Sequence, residues 1–133
     1  MYYKKGKEMF YITGDTHGSI DIRKLNKSNF DDAHLTKNDF LIICGDFGLV
    51  WDNSPEEQFW LNWLNEKNYT TLFIDGNHEN HSLLNSYPVE IWNGGKIHKI
   101  RDSVFHLMRG QVFTINNHTF FTMGGAASVD KNW

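Results

Sequence analysis

The chain has 133 residues, 40% of them hydrophobic and 15% aromatic, which is enough apolar mass for one domain with a packed core and excludes a disordered tail. Its 13 basic and 16 acidic residues are spread along the chain and give a net charge of −3. No cationic stripe is present to neutralise a row of nucleic-acid phosphates, so stable nucleic-acid binding is not expected. The apolar run from Met9 to Ile12 is too short for a signal sequence or a membrane span, which predicts a cytoplasmic protein without membrane contact.

The first half repeats one theme three times: a short β-branched or aromatic run ends in a glycine-bearing polar turn. Met9 to Thr13 precedes GDTHG, Phe40 to Cys44 precedes GDFG, and Thr70 to Ile74 precedes DGNHEN. Each run reads as a buried strand feeding a loop. Asp15, Asp46 and Asn77 recur at equal intervals of 31 positions, the length of a βαβ unit, so successive parallel strands are expected. Cys44 is the lone cysteine; inside its apolar run it reads as a small buried hydrophobe.

Between the first two strands, Ile20, Ile22 and Leu25 suggest a short helix. Between the second and third, Ser54-Pro-Glu-Glu57 opens a stronger one, with Ser54 as cap, Pro55 at the first helical position and Glu57 closing a capping box. Phe59, Trp60, Trp63 and Leu64 form its apolar face, read as surface packed on the sheet. Asn80 to Asn85 add one or two turns, which Pro88 ends. From about Lys96 the texture changes to the strand-like runs Ser103 to Met108, Gln111 to Ile115 and His118 to Met123, with Asn116-Asn117 as a hairpin turn. This region is expected to be antiparallel and to begin a second sheet.

In open α/β sheets ligands bind beyond the carboxyl ends of the strands, where the three polar clusters fall. Asp15, His17, Asp46, Asn77 and His78 then supply two carboxylates, two imidazoles and an amide oxygen. Such a donor set suits Mn, Fe or Zn and lacks the thiolates of a structural zinc site. Two metals need a shared ligand, and Asp46 at the end of the central strand can bridge with its two oxygens; Asp15 and His17 would hold the first metal and Asn77 would reach the second.

GDTHG (Gly14 to Gly18), GDFG (Gly45 to Gly48) and GNHE (Gly76 to Glu79) resemble the GDxHG, GDxxG and GNH[ED] motifs of calcineurin-like metallophosphoesterases, in the family's order. GGAASVD at Gly124 to Asp130 is similar to a segment of bacterial members, which extends the resemblance over roughly residues 8 to 130. The resemblance implies an α/β fold, the N-terminal portion of the family's αββα sandwich, with parallel βαβαβ strands followed by antiparallel hairpins in one domain spanning 1–133. It implies hydrolysis of a phosphate mono- or diester, with a phosphorylated small molecule, a nucleotide or a phosphoprotein as substrate. The implied cofactors are two divalent ions, Mn²⁺ first with Fe or Zn as alternatives, which would activate a shared water as a bridging hydroxide for in-line attack. Asp15 and His17 are implied as ligands of the first metal, Asp46 as the bridge, Asn77 as a ligand of the second, and His78 as the acid that protonates the leaving alkoxide.

Some branches of the family place an acidic residue three positions after the bridging Asp, where this chain has Leu49. Protein Ser/Thr phosphatases have Arg before GNHE, where this chain has Asp75, which disfavours that subfamily. Members also continue with a strand-borne His and a GHxH motif, and the sequence given ends at Trp133 before either. A second reading is therefore a shortened, catalytically weak binding or regulatory module. Its incomplete second sheet would expose strands such as Val112 to Ile115 and Phe120 to Met123 to a second copy or a partner chain. His34, His81, His98, His106 and His118 sit in none of the motifs and read as packed or solvated imidazoles. Arg109, in Met108-Arg-Gly110, is a candidate phosphate clamp, since guanidinium matches phosphoryl oxygens bidentately; its plainer reading is a solvated hairpin arginine.

Overall fold

The computed structural model describes residues 2–5, 8–13, 25, 32–44, 47–75, 80–115, 117–123 and 126–131. Ten strands and two helices are described: β1 (Tyr2–Lys5), β2 (Glu8–Thr13), β3 (Phe40–Ile43), α1 (Pro55–Asn65), β4 (Thr70–Phe73), α2 (His81–Leu84), β5 (Val89–Trp92), β6 (Gly95–Arg101), β7 (Val104–Leu107), β8 (Val112–Ile115), β9 (His118–Met123) and β10 (Ala126–Lys131). A seven-stranded sheet has the order β1-β2-β3-β4-β7-β6-β5, and a three-stranded sheet has the order β10-β9-β8. The three strands expected in the first half are present, adjacent and parallel, with Phe10, Phe40 and Thr70 in one row and Thr13 level with Ile43, which is level with Phe73.

Residue alternation explains the layering, because successive side chains of a strand face opposite sides of the sheet. Phe40 and Ile42 of β3, with Leu72, Ile74, Phe105 and Leu107 farther across, meet Phe113, Ile115 and Phe120 of the small sheet. Leu41 and Ile43 face the other way, with Phe73 and Val104, and pack on Leu61 and Leu64 of α1. Central strands covered on both faces need continuous apolar runs, which is why Phe40–Ile43 carries no alternation. The strands that the sequence left open to a partner are covered on one face: Phe113 is fully buried, and Ile115 and Phe120 nearly so. Val112 and Met123 point outward and are exposed.

The late strands differ from expectation. β5, β6 and β7 extend the first sheet, and β7 pairs parallel to β4, with Phe73 level with His106. Only β8, β9 and β10 form the second sheet, antiparallel as expected. Asn117, at φ 66°, takes the left-handed turn position between β8 and β9 that asparagine tolerates. Half-buried Cys44 packs against the inter-sheet core, and burial pushes its thiol pKa up. Leu25 is buried in the α1-side core, while Ile20 and Ile22 lie outside the described residues.

Helix α1 starts at Pro55 with Ser54 as its cap, whose hydroxyl accepts from the Glu57 amide at 3.2 Å. The reciprocal half of the capping box is absent. The Ser54 amide donates instead to Asp52 Oδ1 at 2.9 Å, and the Glu57 carboxylate turns toward the preceding loop to accept from the amides of Trp51, Asp52 and Asn53 at 2.7, 3.1 and 2.8 Å. The buried face of α1 is Glu57, Leu61 and Leu64, spaced i, i+4, i+7, with Trp60 and Trp63 packed at its margin. Phe59, expected on that face, is 60% exposed. Helix α2 follows the expected segment, capped by the Asn80 side chain on the Leu83 amide at 3.1 Å. The C-terminus of α1 is held by Lys37, whose ammonium donates to Asn65 O at 2.8 Å, to Lys67 O and to Ser103 Oγ at 2.9 Å, a cation placed where the helix carbonyls are unpaired.

Candidate functional site

Asp15, His17, Asp46, Asn77 and His78 lie outside the described residues. What the described chain establishes is where their segments depart. β2, β3 and β4 run side by side in the same direction and finish in register at Thr13, Ile43 and Phe73. Neighbouring strands are about 4.8 Å apart. Asp15 is thus two residues beyond the end of β2, Asp46 three beyond β3 and Asn77 four beyond β4. The donor chemistry of these residues, carboxylate and amide oxygens with imidazole nitrogens, fits first-row divalent ions, and the shared rim from which their segments leave is compatible with a common centre. Among the described residues no group of three or more His, Cys, Asp or Glu side chains is arranged to hold a metal.

One constellation at this rim lies wholly within the described residues, and only Arg109 of it is a candidate from sequence. Asp75 follows β4 directly and precedes Gly76; its side chain is 2% exposed. Its Oδ2 accepts from Arg109 Nε and Nη2, both at 2.7 Å, and its Oδ1 accepts from His106 Nε2 at 2.8 Å. Beyond it, His106 Nδ1 lies 2.9 Å from His98 Nδ1, the two rings stacked with planes 4° apart. A carboxylate only accepts, so His106 donates from Nε2, and one of the two facing Nδ1 atoms donates to the other. His81 Nδ1 stands 3.6 Å from Asp75 Oδ2 and is largely exposed.

Burial alone would push Asp75 up, but the hydrogen bonds and charges of His106 and Arg109 outweigh it and lower its pKa to about 2. Burial, and then the neighbouring His106, push the His98 pKa down. His98 and His106 are packed imidazoles, as expected: both are buried and hydrogen-bonded, and the chain they form leads to the rim. His118 is buried against the Phe10 ring, and His34 is exposed.

Arg109 is not a freely solvated hairpin residue. It is held by Asp75, its side chain is 49% exposed, and its Nη1 takes no partner among the described residues. Gly110 follows at φ 71°, and its amide donates to Thr122 O at 2.7 Å, while the Gln111 amide donates to Thr122 Oγ1 at 3.0 Å. Glycine suits this left-handed position because it has no Cβ. A cavity of about 340 Å³ lined by Lys37, Phe40, Thr70, Trp92, Phe105 and Ile115 opens at the amino ends of β3 and β4, the opposite end of the sheet.

The fold and site define an α/β sandwich whose motif-bearing segments follow the carboxyl ends of three adjacent parallel strands. The family model for calcineurin-like phosphoesterases matches residues 9–133, and the chain belongs to that family. No curated protein and no solved structure matched the chain. No described helix is long and apolar enough to cross a membrane.

Proposed function

We infer that this protein hydrolyses phosphate mono- or diesters at a two-metal centre built from the segments that follow β2, β3 and β4. The observation that carries this reading is the register of those three strands, which starts the GDTHG, GDFG and GNHE segments from one rim of the sheet. In the proposed centre Asp15 and His17 would hold one ion and Asn77 the other, with Asp46 as the ligand they would share. Two divalent ions, manganese foremost, would supply an activated water and neutralise phosphoryl charge. His78 donates a proton to the leaving alkoxide oxygen, and Arg109 offers Nη1 to a phosphoryl oxygen. Its guanidinium is already fixed at that rim by Asp75, which supports this role over solvation alone.

The test is hydrolysis of p-nitrophenyl phosphate and of its bis-ester by the purified chain, with Mn²⁺ added or with EDTA. Turnover that requires Mn²⁺ and stops in EDTA is expected, and the ratio of rates on the two esters sorts monoesterase from diesterase. Equal rates with Mn²⁺ and with EDTA would contradict a metal-dependent reaction.

A further inference from the structure

Asp75 stands between two cationic or proton-donating groups that come from β7 and the turn after it. Its Oδ1 is taken by His106 and its Oδ2 by two nitrogens of Arg109, so the carboxylate cannot rotate without breaking three short contacts. His106 is itself fixed: level with Phe73 in the sheet, it packs against the Phe73 ring at 5.1 Å and bonds His98 on its far side. An exposed ion pair would fix nothing of the kind, but here one partner is 2% exposed and doubly bonded. Arg109 is thereby tied through Nε and Nη2, and Nη1 remains on the exposed part of the side chain.

We propose that Asp75 is a positioning residue of the phosphoester site: anchored by His106, it fixes the Arg109 guanidinium in one orientation and presents Nη1 to a phosphoryl oxygen. This rests on the phosphate-binding reading of Arg109 given above. A guanidinium held in place before the ligand arrives loses little rotamer freedom on binding, which strengthens each contact it makes. The His98–His106 pair serves the same end from within the core. It holds the His106 ring so that Nε2 is aimed at Asp75.

The sign of one substitution separates positioning from simple charge. Asp75→Asn removes a negative charge near the phosphate position, so Coulomb attraction alone would tighten anion binding. Positioning predicts the opposite. Calorimetric titration of the Mn²⁺-loaded chain with inorganic phosphate should show roughly tenfold weaker binding for both Asp75→Asn and Arg109→Ala. With p-nitrophenyl phosphate both should raise KM more than they lower kcat, and the double variant should be no worse than Arg109→Ala alone. Metal content, measured alongside, should match the wild type.

Phosphate binding by Asp75→Asn equal to or tighter than wild type, with Arg109→Ala weakened, would overturn the positioning role and leave the Arg109 reading standing. Unchanged binding by Arg109→Ala, or no phosphate binding by the wild type, would overturn both. Should Asp75→Asn fail to fold, Arg109→Lys asks the same question, because lysine keeps the charge and loses the fork. It is expected to bind as weakly as Arg109→Ala, and wild-type binding by Arg109→Lys would overturn the proposal.

Discussion

Replacing His78 by alanine is expected to lower kcat for an alkyl phosphate by roughly two to four orders of magnitude while leaving bound metal and KM close to wild type, the range that loss of a positioned general acid produces. The assignment follows from chain position and residue type. His78 directly follows the proposed ligand Asn77 and lies five residues beyond the end of β4. An imidazole titrates near neutrality and can deliver a proton to an alkoxide that would otherwise leave as a strong base. A leaving group that needs no proton should lose less, so the deficit should shrink as the alcohol becomes more acidic across a series of aryl and alkyl phosphates. Steady-state kinetics at saturating Mn²⁺ give the answer, and undiminished turnover in His78→Ala would remove the histidine from that role.

Replacing Glu57 by alanine is expected to destabilise the fold by about 3 kcal/mol, seen as a fall in Tm of roughly 10 °C, because three backbone amides lose a charged acceptor at once. Glu57 is buried on the sheet-facing side of α1 and gathers the amides of Trp51, Asp52 and Asn53. Asn53 sits at φ 56°, a left-handed conformation that the Glu57 contact helps to hold. Trp51, Asp52 and Asn53 are exposed, so water can rehydrate part of what is lost, which keeps the estimate below the sum of three buried donors. Desolvation pushes the Glu57 carboxyl up and the three amides pull it back; the net shift is upward. Glu57→Gln keeps one acceptor oxygen for Trp51 and Asp52, and its cost should be less than half that of alanine. Thermal unfolding of the two variants beside the wild type checks the order, and equal stability of Glu57→Ala and wild type would contradict it. The segment also matters for the site, since it follows the GDFG motif in the sequence and Asn80 donates to Trp51 O at 2.8 Å, joining the stretches that come after β3 and β4.

The strands that organise the rim were legible because their burial is written in composition. Phe40–Ile43 is apolar at every position, as a strand covered on both faces must be, and Ser54-Pro55 marks a helix start by chemistry confined to a few neighbouring residues. Where the reading went astray, one local pattern served two long-range outcomes. Val104–Leu107 looks the same whether it pairs antiparallel in a new sheet or parallel to β4 in the old one; the partner is decided by contacts some thirty residues away. Glu57 could close a capping box or cap a loop, and the Asp52 side chain decided it by taking the Ser54 amide first. Phe59 falls next to Trp60 in a run of aromatics, and only the packed Leu61 and Leu64 show which side of the helix faces in.

Asp75 was legible as a departure, a carboxylate before GNHE, but not as a centre of charge. Its two partners come from β7 and the following turn, and nothing in the spacing of Asp75, His106 and Arg109 announces that parallel pairing levels Phe73 with His106. The signal that could have raised it was the coincidence of a buried-looking acid at a strand end with an arginine in a glycine turn. Arg109 was singled out on its own, and its anchor was missed.

The proposed metal centre has Asp46 as its shared ligand, and the most direct test is metal content per chain after Mn²⁺ loading and desalting, for wild type and Asp46→Asn. Two Mn²⁺ per wild-type chain and nearly none in Asp46→Asn are expected, because the amide can serve at most one ion and carries no charge to hold the pair. Equal metal in the two proteins would contradict that assignment.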